Sequence, residues 1–223
     1  TAGFAKSLLA INHRLRMLTL AIEDQPDHSL MATRLLAEMQ SDNSAEEIYY
    51  RAGKRLLRQL APSHPVINHL SATAIKAQGT YLITGGLGKL GLVIARYLIS
   101  QKPVNVVLVG RSAISAEGQN VINTLESAGA KVVYHAADTA DAESARQLIA
   151  NVLEQFGHLN GIFHSAGLAT EQTLLEQDAA AFAEILKPKL LGTRWLDEAT
   201  ADLDLDFFIL FSSISAVVGD FGS

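Results

Sequence analysis

The chain of 223 residues is 48% hydrophobic and 18% charged, a balance typical of a globular protein with a sizeable core. Its net charge of −5 favours neither nucleic acid nor an anionic membrane surface as a partner, and no apolar run approaches the roughly 20 residues that span a bilayer. Cysteine is absent, which excludes disulfides, thiolate zinc sites and a thiol nucleophile, so we expect a cytoplasmic protein. Because the sequence opens without Met, apparently inside a helix, we also expect a piece of a longer protein.

The first 60 residues predict a small unit of helices and strands. Apolar spacing indicates a helix, a strand and a second helix, in that order: 1–12, 15–22 and about 30–39. Asp27 and Ser29 are both suitable caps for the second helix. The stretch 61–78 contains two prolines and little periodicity, so we expect it to be a linker to the rest of the chain.

A turn at Gly53 separates two short apolar stretches, 48–50 and 56–57. This pattern predicts a hairpin or the edge between a helix and a strand. Several basic residues surround the turn: Arg51, Lys54, Arg55 and Arg58. We interpret them as a solvated face, because a few charges near a turn are more often that than a binding patch.

From Thr80 onward, apolar strands alternate regularly with amphipathic helices. The predicted strands are 80–84, 104–110, 131–136, 160–164 and 206–212. The predicted helices are 89–101, 115–129, 141–157 and 175–200, the last of them broken at Pro188. Such alternation indicates βαβ units with right-handed crossovers. We therefore predict an α/β fold with a doubly wound parallel sheet of the Rossmann type over 79–223, preceded by the smaller unit.

A glycine-rich turn follows the first of these strands and opens a helix. Strand, glycine turn and helix together present backbone N–H groups and a helix N-terminus to a phosphate. A glycine cluster alone is a weak signal, but here both flanking elements are present, so we favour phosphate binding over a merely structural turn. The residues expected to contact a cofactor here are Thr84, Gly85, Gly86, Leu87, Gly88, Leu90 and Gly91.

The second strand ends at Gly110-Arg111-Ser112, twenty residues past Gly91. In dinucleotide folds this position contacts the adenosine ribose: an acidic residue binds a free 2′-hydroxyl, whereas an arginine suits a 2′-phosphate. A guanidinium matches a phosphate in charge and geometry. With Arg111 and Ser112 here and no acid beside them, we favour NADPH over NADH. A solvated arginine after a strand is the alternative.

The ends of the third and fourth strands supply the remaining candidate contacts. Asp138, followed by Thr139, faces the crevice and suits the adenine amino group, although Asp138 is equally suited to cap the next helix. The small residues of His164-Ser165-Ala166-Gly167 suit a backbone that lies along the nicotinamide ribose. We interpret His164 itself as a packed residue rather than a base or ligand. The other histidines show no ligand spacing, so we predict no metal site.

A hydroxyl and an ammonium are expected near the same crevice. Ser213 follows the last strand, and Lys189 lies on the helix before it. Such a pair suits carbonyl reduction, because the hydroxyl orients the carbonyl and the ammonium lowers the pKa of a proton donor. Alternatively Ser213 is a turn residue and Lys189 a surface charge, and spacing alone does not decide between these.

These residues resemble the short-chain dehydrogenase/reductase superfamily, and specifically the ketoreductase domain of modular polyketide synthases. The motifs are T-G-G-L-G-K-L-G (84–91), G-R-S (110–112), H-S-A-G (164–167), K-P-K-L-L-G-T-R-W-L-D (187–197) and D-F-F-I-L-F-S-S-I-S-A-V-V-G (206–219). The last two are similar to trans-acyltransferase synthases, which receive their extender units from a separate acyltransferase. The resemblance covers 79–223. More loosely, 1–60 resembles part of the non-catalytic structural subdomain of that family.

The resemblance implies a Ser–Tyr–Lys–Asn active site in which Ser213 and Lys189 are catalytic, and their separation of 24 residues fits the family. It places the tyrosine at position 226 and the asparagine four residues later, so we expect these 223 residues alone to be inactive. Lys89 replaces a usual glycine of the phosphate loop. The L-D-D signature of one stereochemical class is not kept at Ala169-Thr170-Glu171, which leaves the product configuration open.

The implied function is reduction by NADPH of a β-ketoacyl group to a β-hydroxyacyl group, within a multidomain synthase of the kind used in antibiotic biosynthesis. The implied partners are an acyl carrier protein, whose phosphopantetheine carries the substrate, and the neighbouring synthase domains. Two alternatives stay open. One is a non-catalytic or split reductase-fold scaffold, and the other is a free-standing oxidoreductase, which the 60 residues before the linker disfavour.

Overall fold

The computed structural model describes residues 2–22, 28–41, 47–62, 75–168, 172 and 175–219. Contacts divide them into two compact units. The first unit holds the described residues up to 62 together with 172, 175–176 and 212–219, and the second holds 75–168 and 177–211. Within the described part of the chain, no helix is long and apolar enough to span a membrane.

Fifteen helices and strands lie in the described residues. Their order is α1 (Ala2–Ile11), β1 (Thr19–Ile22), α2 (His28–Gln40), β2 (Glu47–Arg51), β3 (Lys54–Leu57), β4 (Thr80–Thr84), α3 (Lys89–Gln101), β5 (Asn105–Gly110), α4 (Ala116–Ser127), β6 (Lys131–Ala136), α5 (Ala142–Phe156), β7 (Gly161–His164), α6 (Ala179–Ala199), β8 (Phe207–Leu210) and α7 (Ser215–Val218). The first unit contains α1, α2, α7 and β1–β3, and the remaining elements form the second unit.

The first unit contains a three-stranded sheet in the order β1-β2-β3. β1 and β2 are parallel, and β2 and β3 form an antiparallel hairpin. Ala52 and Gly53 both have positive φ, 48° and 71°, as a two-residue hairpin turn requires. The hairpin prediction is thus confirmed. Ser29 lies inside α2 and is not its cap, whereas Asp27 and most of the predicted linker (63–74) lie outside the described residues.

All four basic residues around this hairpin are exposed, as expected for a solvated face, but two of them also pair with buried carboxylates. Arg55 donates to both carboxylate oxygens of Glu38, at 2.6 and 2.9 Å, and Arg58 donates to Glu47 at 2.9 Å. Both glutamates are buried. The hydrogen bond from Arg55 lowers the pKa of Glu38 to about 2, despite the opposing effect of burial. These arginines therefore stabilise buried carboxylates.

The second unit contains a five-stranded sheet in the order β6-β5-β4-β7-β8, parallel throughout. The chain runs outward from β4 to β6 on one side and then returns to β7 and β8 on the other. This reversal creates a topological switch point between β4 and β7, where open α/β sheets bind ligands beyond the carboxyl ends of their strands. The predicted doubly wound parallel sheet is confirmed.

The two faces of the sheet are covered by different helices. Side chains alternate along β4, so that Tyr81 and Ile83 join one buried cluster and Leu82 joins the other. The first cluster includes Leu98 of α3 and residues of α4, and the second includes residues of α5 and Leu196 of α6. All five residues of β4 are buried, as expected for the central strand of a sheet covered on both faces.

The predicted break of the last long helix at Pro188 is wrong. α6 runs without interruption for 21 residues and contains Pro188 in its interior. It begins at Ala179 rather than 175, and the side chain of Asp178 caps it by accepting a hydrogen bond from Ala181 N. Pro188 is buried, and its carbonyl accepts a hydrogen bond from His164, so a contact distant in sequence holds the helix at this point.

Candidate active site

The candidate site lies at the carboxyl ends of β4, β5, β6 and β7. Thr84, the last residue of β4, pairs in register with Val109 of β5 on one side and with His164 of β7 on the other. The glycine turn that follows Thr84 therefore lies at the switch point.

The backbone of the glycine turn is exposed to the crevice because two features exclude side chains from it. Gly85 has a φ of 64°, which residues with a side chain rarely adopt. A Cβ on Gly91 would lie 2.6 Å from the carbonyl oxygen of Gly85, so only glycine lets α3 approach the turn this closely. Gly88 precedes α3 and provides no side-chain cap, which leaves the first N–H groups of the helix available to an anion.

A cavity of about 100 Å³ lies at these strand ends. Its lining residues are Thr84, Gly85, Val109, Gly110, Arg111, Ala137, Asp138, Thr139, Ala166, Gly167, Leu168 and Pro188. The cavity is smaller than the roughly 300–1,000 Å³ of most ligand sites, so it encloses one section of the crevice. Seven of its residues are predicted site residues. Sequence reasoning missed the other five, of which Gly110, Ala137, Leu168 and Pro188 are chain neighbours of predicted ones and Val109 is not.

The other predicted contacts do not line this cavity: Gly86, Leu87, Gly88, Leu90, Gly91, Ser112, His164 and Ser165. Some of them have structural partners. A Cβ on Gly86 would lie 2.8 Å from Leu108 Cα, and the Ser165 hydroxyl donates to the Thr84 carbonyl at 2.7 Å. The Ser112 carbonyl accepts from the Tyr134 hydroxyl at 2.7 Å. Leu90, by contrast, is exposed.

His164 is buried and bonds within the protein through both ring nitrogens. Nε2 lies 2.8 Å from the Pro188 carbonyl, which only accepts, so Nε2 carries the proton. Nδ1, 2.8 Å from the Thr84 hydroxyl, is then an acceptor, and Thr84 in turn accepts from Ala166 N at 3.0 Å. Burial, with a smaller effect of Lys189, lowers the pKa of His164 and favours this neutral form.

Lys189 follows Pro188 on α6, and its ammonium end reaches the crevice. A Cβ on Gly167 would lie 3.3 Å from Lys189 Cε and 3.5 Å from Nζ, and Gly167 lines the cavity. Although the side chain is exposed overall, partial burial lowers the pKa of Lys189 below its usual value. Among the described residues Lys189 has no ion-pair partner. A lysine at this edge of the site is suited to influence a nearby proton donor.

Arg111 and Asp138, the residues predicted to contact the adenosine, both line the cavity. Arg111 is exposed at the cavity and, within the described part of the chain, has no carboxylate partner. Asp138 accepts a hydrogen bond from Ala140 N at 3.0 Å, whereas Asp141 caps α5 by accepting from Ser144 N. The helix-cap alternative for Asp138 is therefore excluded.

Ser213 belongs to the first unit, whereas Lys189 belongs to the second. Ser213 is exposed, three residues after the end of β8, and its Oγ accepts a hydrogen bond from Ser215 N at 3.1 Å. The hydroxyls of Ser213 and Ser215 are 3.0 Å apart. No group of three or more residues able to hold a metal ion occurs in the ranges that the structure describes.

A doubly wound parallel sheet with a bare glycine turn before an uncapped helix defines a dinucleotide-binding α/β protein of the Rossmann type. The chain belongs to the KR domain family, the ketoreductase domains of polyketide synthases, whose family model matches residues 79–223. Membership of this family of oxidoreductases implies a nicotinamide cofactor. The open turn fits such a group, because its uncapped backbone N–H groups suit a diphosphate, and Arg111 lies at the same cavity.

The chain is similar to curated multidomain synthases. It is 38% identical to polyketide synthase PksN of Bacillus subtilis over 189 residues, which are 84% of this chain and 3% of that protein. It is 34% identical to polyketide synthase ThaG of Burkholderia thailandensis over 201 residues, 87% of this chain and 4% of that one. The chain thus spans only a few per cent of the length of these relatives.

Solved ketoreductases have the same fold. An N-terminal ketoreductase from the macrolactin assembly line is 33% identical with a TM-score of 0.82, over 99% of this chain and 44% of that one. A ketoreductase domain from the bacillaene assembly line is 31% identical with a TM-score of 0.84, over 99% of this chain and 52% of the other.

Proposed function

We propose that the protein containing this chain reduces a β-ketoacyl thioester to a β-hydroxyacyl thioester, using NADPH, while an acyl carrier protein holds the substrate. The observation that carries the proposal is the cavity at the switch point, where the glycine turn, Arg111 and Gly167 meet and Lys189 Nζ lies alongside. In a KR domain, that is where a nicotinamide dinucleotide and a carbonyl substrate are expected to meet.

The preference for NADPH over NADH rests on the charges around the adenosine side. Arg111, at the end of β5, would pair with a 2′-phosphate, and it has no carboxylate partner among the described residues that would compete. Asp138, at the same cavity, would accept from the adenine amino group. Lys89, the first residue of α3, adds a cation beside the open N–H groups of the helix.

When bound, NADPH would be the source of the hydride that the β-carbon of the substrate receives. The hydroxyl of Ser213 would donate a hydrogen bond to the carbonyl oxygen, on which negative charge develops, and would thereby stabilise the transition state. A tyrosine beyond Ser223 would protonate that oxygen to give the alcohol. Lys189, as an ammonium group, would lower the pKa of the tyrosine and favour the proton transfer. A ketone, a hydride and a proton thus give a secondary alcohol.

The proposal also covers the organisation of the chain into subdomains and the partners of the reaction. Residues 1–60 would be a non-catalytic structural subdomain, 61–78 a linker and 79–223 the NADP-binding subdomain, which is supported by the family match to 79–223. The similarity to multidomain synthases supports a carrier protein and neighbouring synthase domains as partners. A thioester on a flexible carrier arm suits a crevice that opens at the edge of the sheet.

The test uses the full-length protein with a β-ketoacyl group loaded on its carrier protein. Oxidation of coenzyme is followed at 340 nm with NADPH and with NADH, for the unchanged protein and for the Lys189→Ala and Ser213→Ala variants. We expect turnover with a preference for NADPH, and a loss of about 100-fold or more in kcat for each variant. Thr193→Ala, on the turn of α6 after Lys189, serves as a control for disturbance of the helix.

Coenzyme binding without turnover in the full-length protein would instead support a non-catalytic scaffold. Equal turnover of free small ketones and carrier-bound substrate would support a free-standing oxidoreductase. Unchanged kcat in both variants would contradict the assigned roles of Lys189 and Ser213.

A further inference from the structure

The segment that carries Ser213 is built into the first turn of α7. Ser213 Oγ accepts from Ser215 N, and the Ser213 carbonyl accepts from Ala216 N at 3.1 Å. Val217 N donates to the Ile214 carbonyl at 2.9 Å. Because these bonds join Ser213 to the backbone of the short helix, the position of α7 determines the position of the Ser213 hydroxyl.

α7 packs directly against α1 within the first unit. A Cβ on Gly3 would lie 2.8 Å from the Ser215 carbonyl oxygen, so the two backbones are in contact at this point. At the other end of α7, Gly219 has a φ of 77°, and a Cβ there would lie 2.7 Å from Lys6 Cβ. Both glycines are needed for this close approach, which places Lys6 beside the C-terminal end of α7.

Lys6 holds this end of α7 by a hydrogen bond. Its Nζ donates to the Val217 carbonyl at 2.8 Å. The last carbonyls of a helix have no partner within the helix, and a lysine at this end both satisfies one of them and offsets the negative end of the helix dipole. One side chain of α1 therefore fixes the segment that begins at Ser213.

Lys6 is in turn held by a buried carboxylate at the start of β2. Its Nζ lies 2.6 Å from Glu47 Oε1, and the Glu47 side chain is only 3% exposed. Oε1 has no hydrogen bond of good geometry, so this contact is an ion pair. Arg58 donates to the other oxygen at 2.9 Å. Burial raises the pKa of Glu47, but Lys6 and Arg58 together outweigh it, and Glu47 stays ionised.

We propose that Lys6 is a positioning residue for Ser213: it connects the carboxylate of Glu47 in the first unit to the helix that orients the Ser213 hydroxyl. This inference rests on the proposed role of Ser213 in reduction. Among the residues that the structure describes, Glu47 has two cationic partners, and of these Lys6 donates a hydrogen bond to α7. Arg58 therefore provides a matched control, because its loss removes one partner of Glu47 and leaves the bond to Val217 intact.

The test compares Lys6→Met, Lys6→Arg and Arg58→Met in the full-length protein, alone and with Ser213→Ala. We expect Lys6→Met to lower kcat at least about tenfold, as a small displacement of a reacting group does. The Kd for NADPH should stay unchanged.

Lys6→Arg should restore most of the rate, since an arginine keeps both contacts. Arg58→Met should leave kcat within about twofold. In the Ser213→Ala background, Lys6→Met should have no further effect on kcat, because coupled residues are not additive.

An equal loss of kcat in Lys6→Met and Arg58→Met would overturn the proposal, since it would indicate a general loss of stability. An additive effect of Lys6→Met in the Ser213→Ala background would overturn it as well. Full activity of Ser213→Ala would refute the proposed function of that residue and the inference with it. An impaired Ser213→Ala together with a fully active Lys6→Met would overturn only the inference. Thermal unfolding of each variant identifies any that fail to fold, in which case Lys6→Gln replaces Lys6→Met.

Discussion

His164 connects the glycine turn to the helix that carries Lys189. Its protonated Nε2 bonds to the Pro188 carbonyl, next to Lys189, and its Nδ1 bonds to Thr84 at the end of β4. Gly192 leaves room for the ring, because a Cβ there would lie 3.1 Å from His164 Cε1. A buried imidazole with both nitrogens bonded holds these two elements together rather than acting as a base, and burial, which lowers its pKa, favours its neutral form.

The first prediction concerns the stability that His164 provides. His164→Leu leaves the Thr84 hydroxyl and the Pro188 carbonyl without their partner, and we expect a loss of about 2–4 kcal/mol in the free energy of unfolding. Because burial lowers the pKa of His164 below the unfolded value of 6.5, its neutral form stabilises the protein above that pH. This stability is lost as the pH falls below about 6.5 and through the lower pKa of the folded state.

Urea unfolding at about pH 5.5 and 7.5 measures both effects. The unchanged protein should be less stable at the lower pH, and His164→Leu should reduce this difference. Part of it should remain, because burial also lowers the pKa of His135. An undiminished pH dependence in His164→Leu would contradict the neutral, buried state of this ring.

The second prediction concerns the choice of coenzyme by Arg111. Arg111→Ala should raise the Kd for NADPH by about 10- to 100-fold, the range for losing a hydrogen bond to a charged group, and should leave the Kd for NADH nearly unchanged. Titration calorimetry with both coenzymes measures this difference. Arg146→Ala, an exposed arginine paired with Glu143 on α5, makes the same change in net charge and should alter neither Kd. An equal weakening of NADPH and NADH by Arg111→Ala would exclude specific recognition of the 2′-phosphate.

At the scale of elements, the sequence pattern predicts the bounds of a strand or helix where its buried side chains recur with the period of that element. Three elements have the predicted bounds: the strands 80–84 and 131–136 and the helix 89–101. The two strands contribute apolar residues to the cores on both faces of the sheet, and the helix contributes one apolar stripe to a single core. The glycine turn was also predictable. Its function depends on backbone conformation, which glycine residues mark directly in a sequence.

The sequence pattern does not predict a contact between two residues that are distant along the chain. Pro188 was expected to break α6, but His164, which lies 24 residues earlier, bonds to its carbonyl. Arg55 is exposed as expected, but its pairing with Glu38, which lies 17 residues away, was not predicted. Neither partner can be identified from helical or strand periodicity, because both contacts depend on how elements pack together.

The third prediction tests the packing of α3 on the turn. In Gly91→Ala the new Cβ would clash with the Gly85 carbonyl, so the turn must move and its N–H groups lose their alignment. We expect at least a tenfold weaker affinity for NADPH and for NADH alike, since both share the diphosphate. Ala95→Gly, at a buried position of the same helix, should lower stability by about 1 kcal/mol and leave the affinity within about twofold. Equal affinities of the two variants would contradict a phosphate-binding turn.

At the scale of the whole molecule, residues with proposed roles belong to different units. Lys189 and the coenzyme cavity lie in the second unit, and Ser213 with its anchor Lys6 lies in the first. The catalytic roles expected of Lys189 and Ser213 came from the resemblance to ketoreductase domains, because spacing alone does not decide them. The sequence alone does not identify Lys6 as the residue that bonds to α7, since Lys6 and Val217 are 211 residues apart.

The fourth prediction is that acid weakens the first unit through its buried glutamates. The pKa of Glu38 is lowered to about 2, chiefly by the hydrogen bond from Arg55, so the ionised group stabilises the fold above the unfolded value of 4.5. That stability is lost as the pH falls from about 4.5 toward 2, and Glu47 acts in the same direction. Hydrogen exchange of β2 and β3, corrected for intrinsic rates, should show less protection across this range. Glu38→Gln should show a smaller dependence on pH, and an unaltered dependence would contradict the assignment.

The proposed function requires that the crevice at the switch point brings a reduced nicotinamide to a β-ketone. The most direct measurement uses NADPH labelled with deuterium at both C4 positions, the full-length protein and a β-ketoacyl group on its carrier protein, followed by mass spectrometry and NMR of the released acid. We expect one deuterium at the β-carbon of the hydroxy product for each NADPH oxidised. Coenzyme that binds without any transfer of deuterium to that carbon would contradict it.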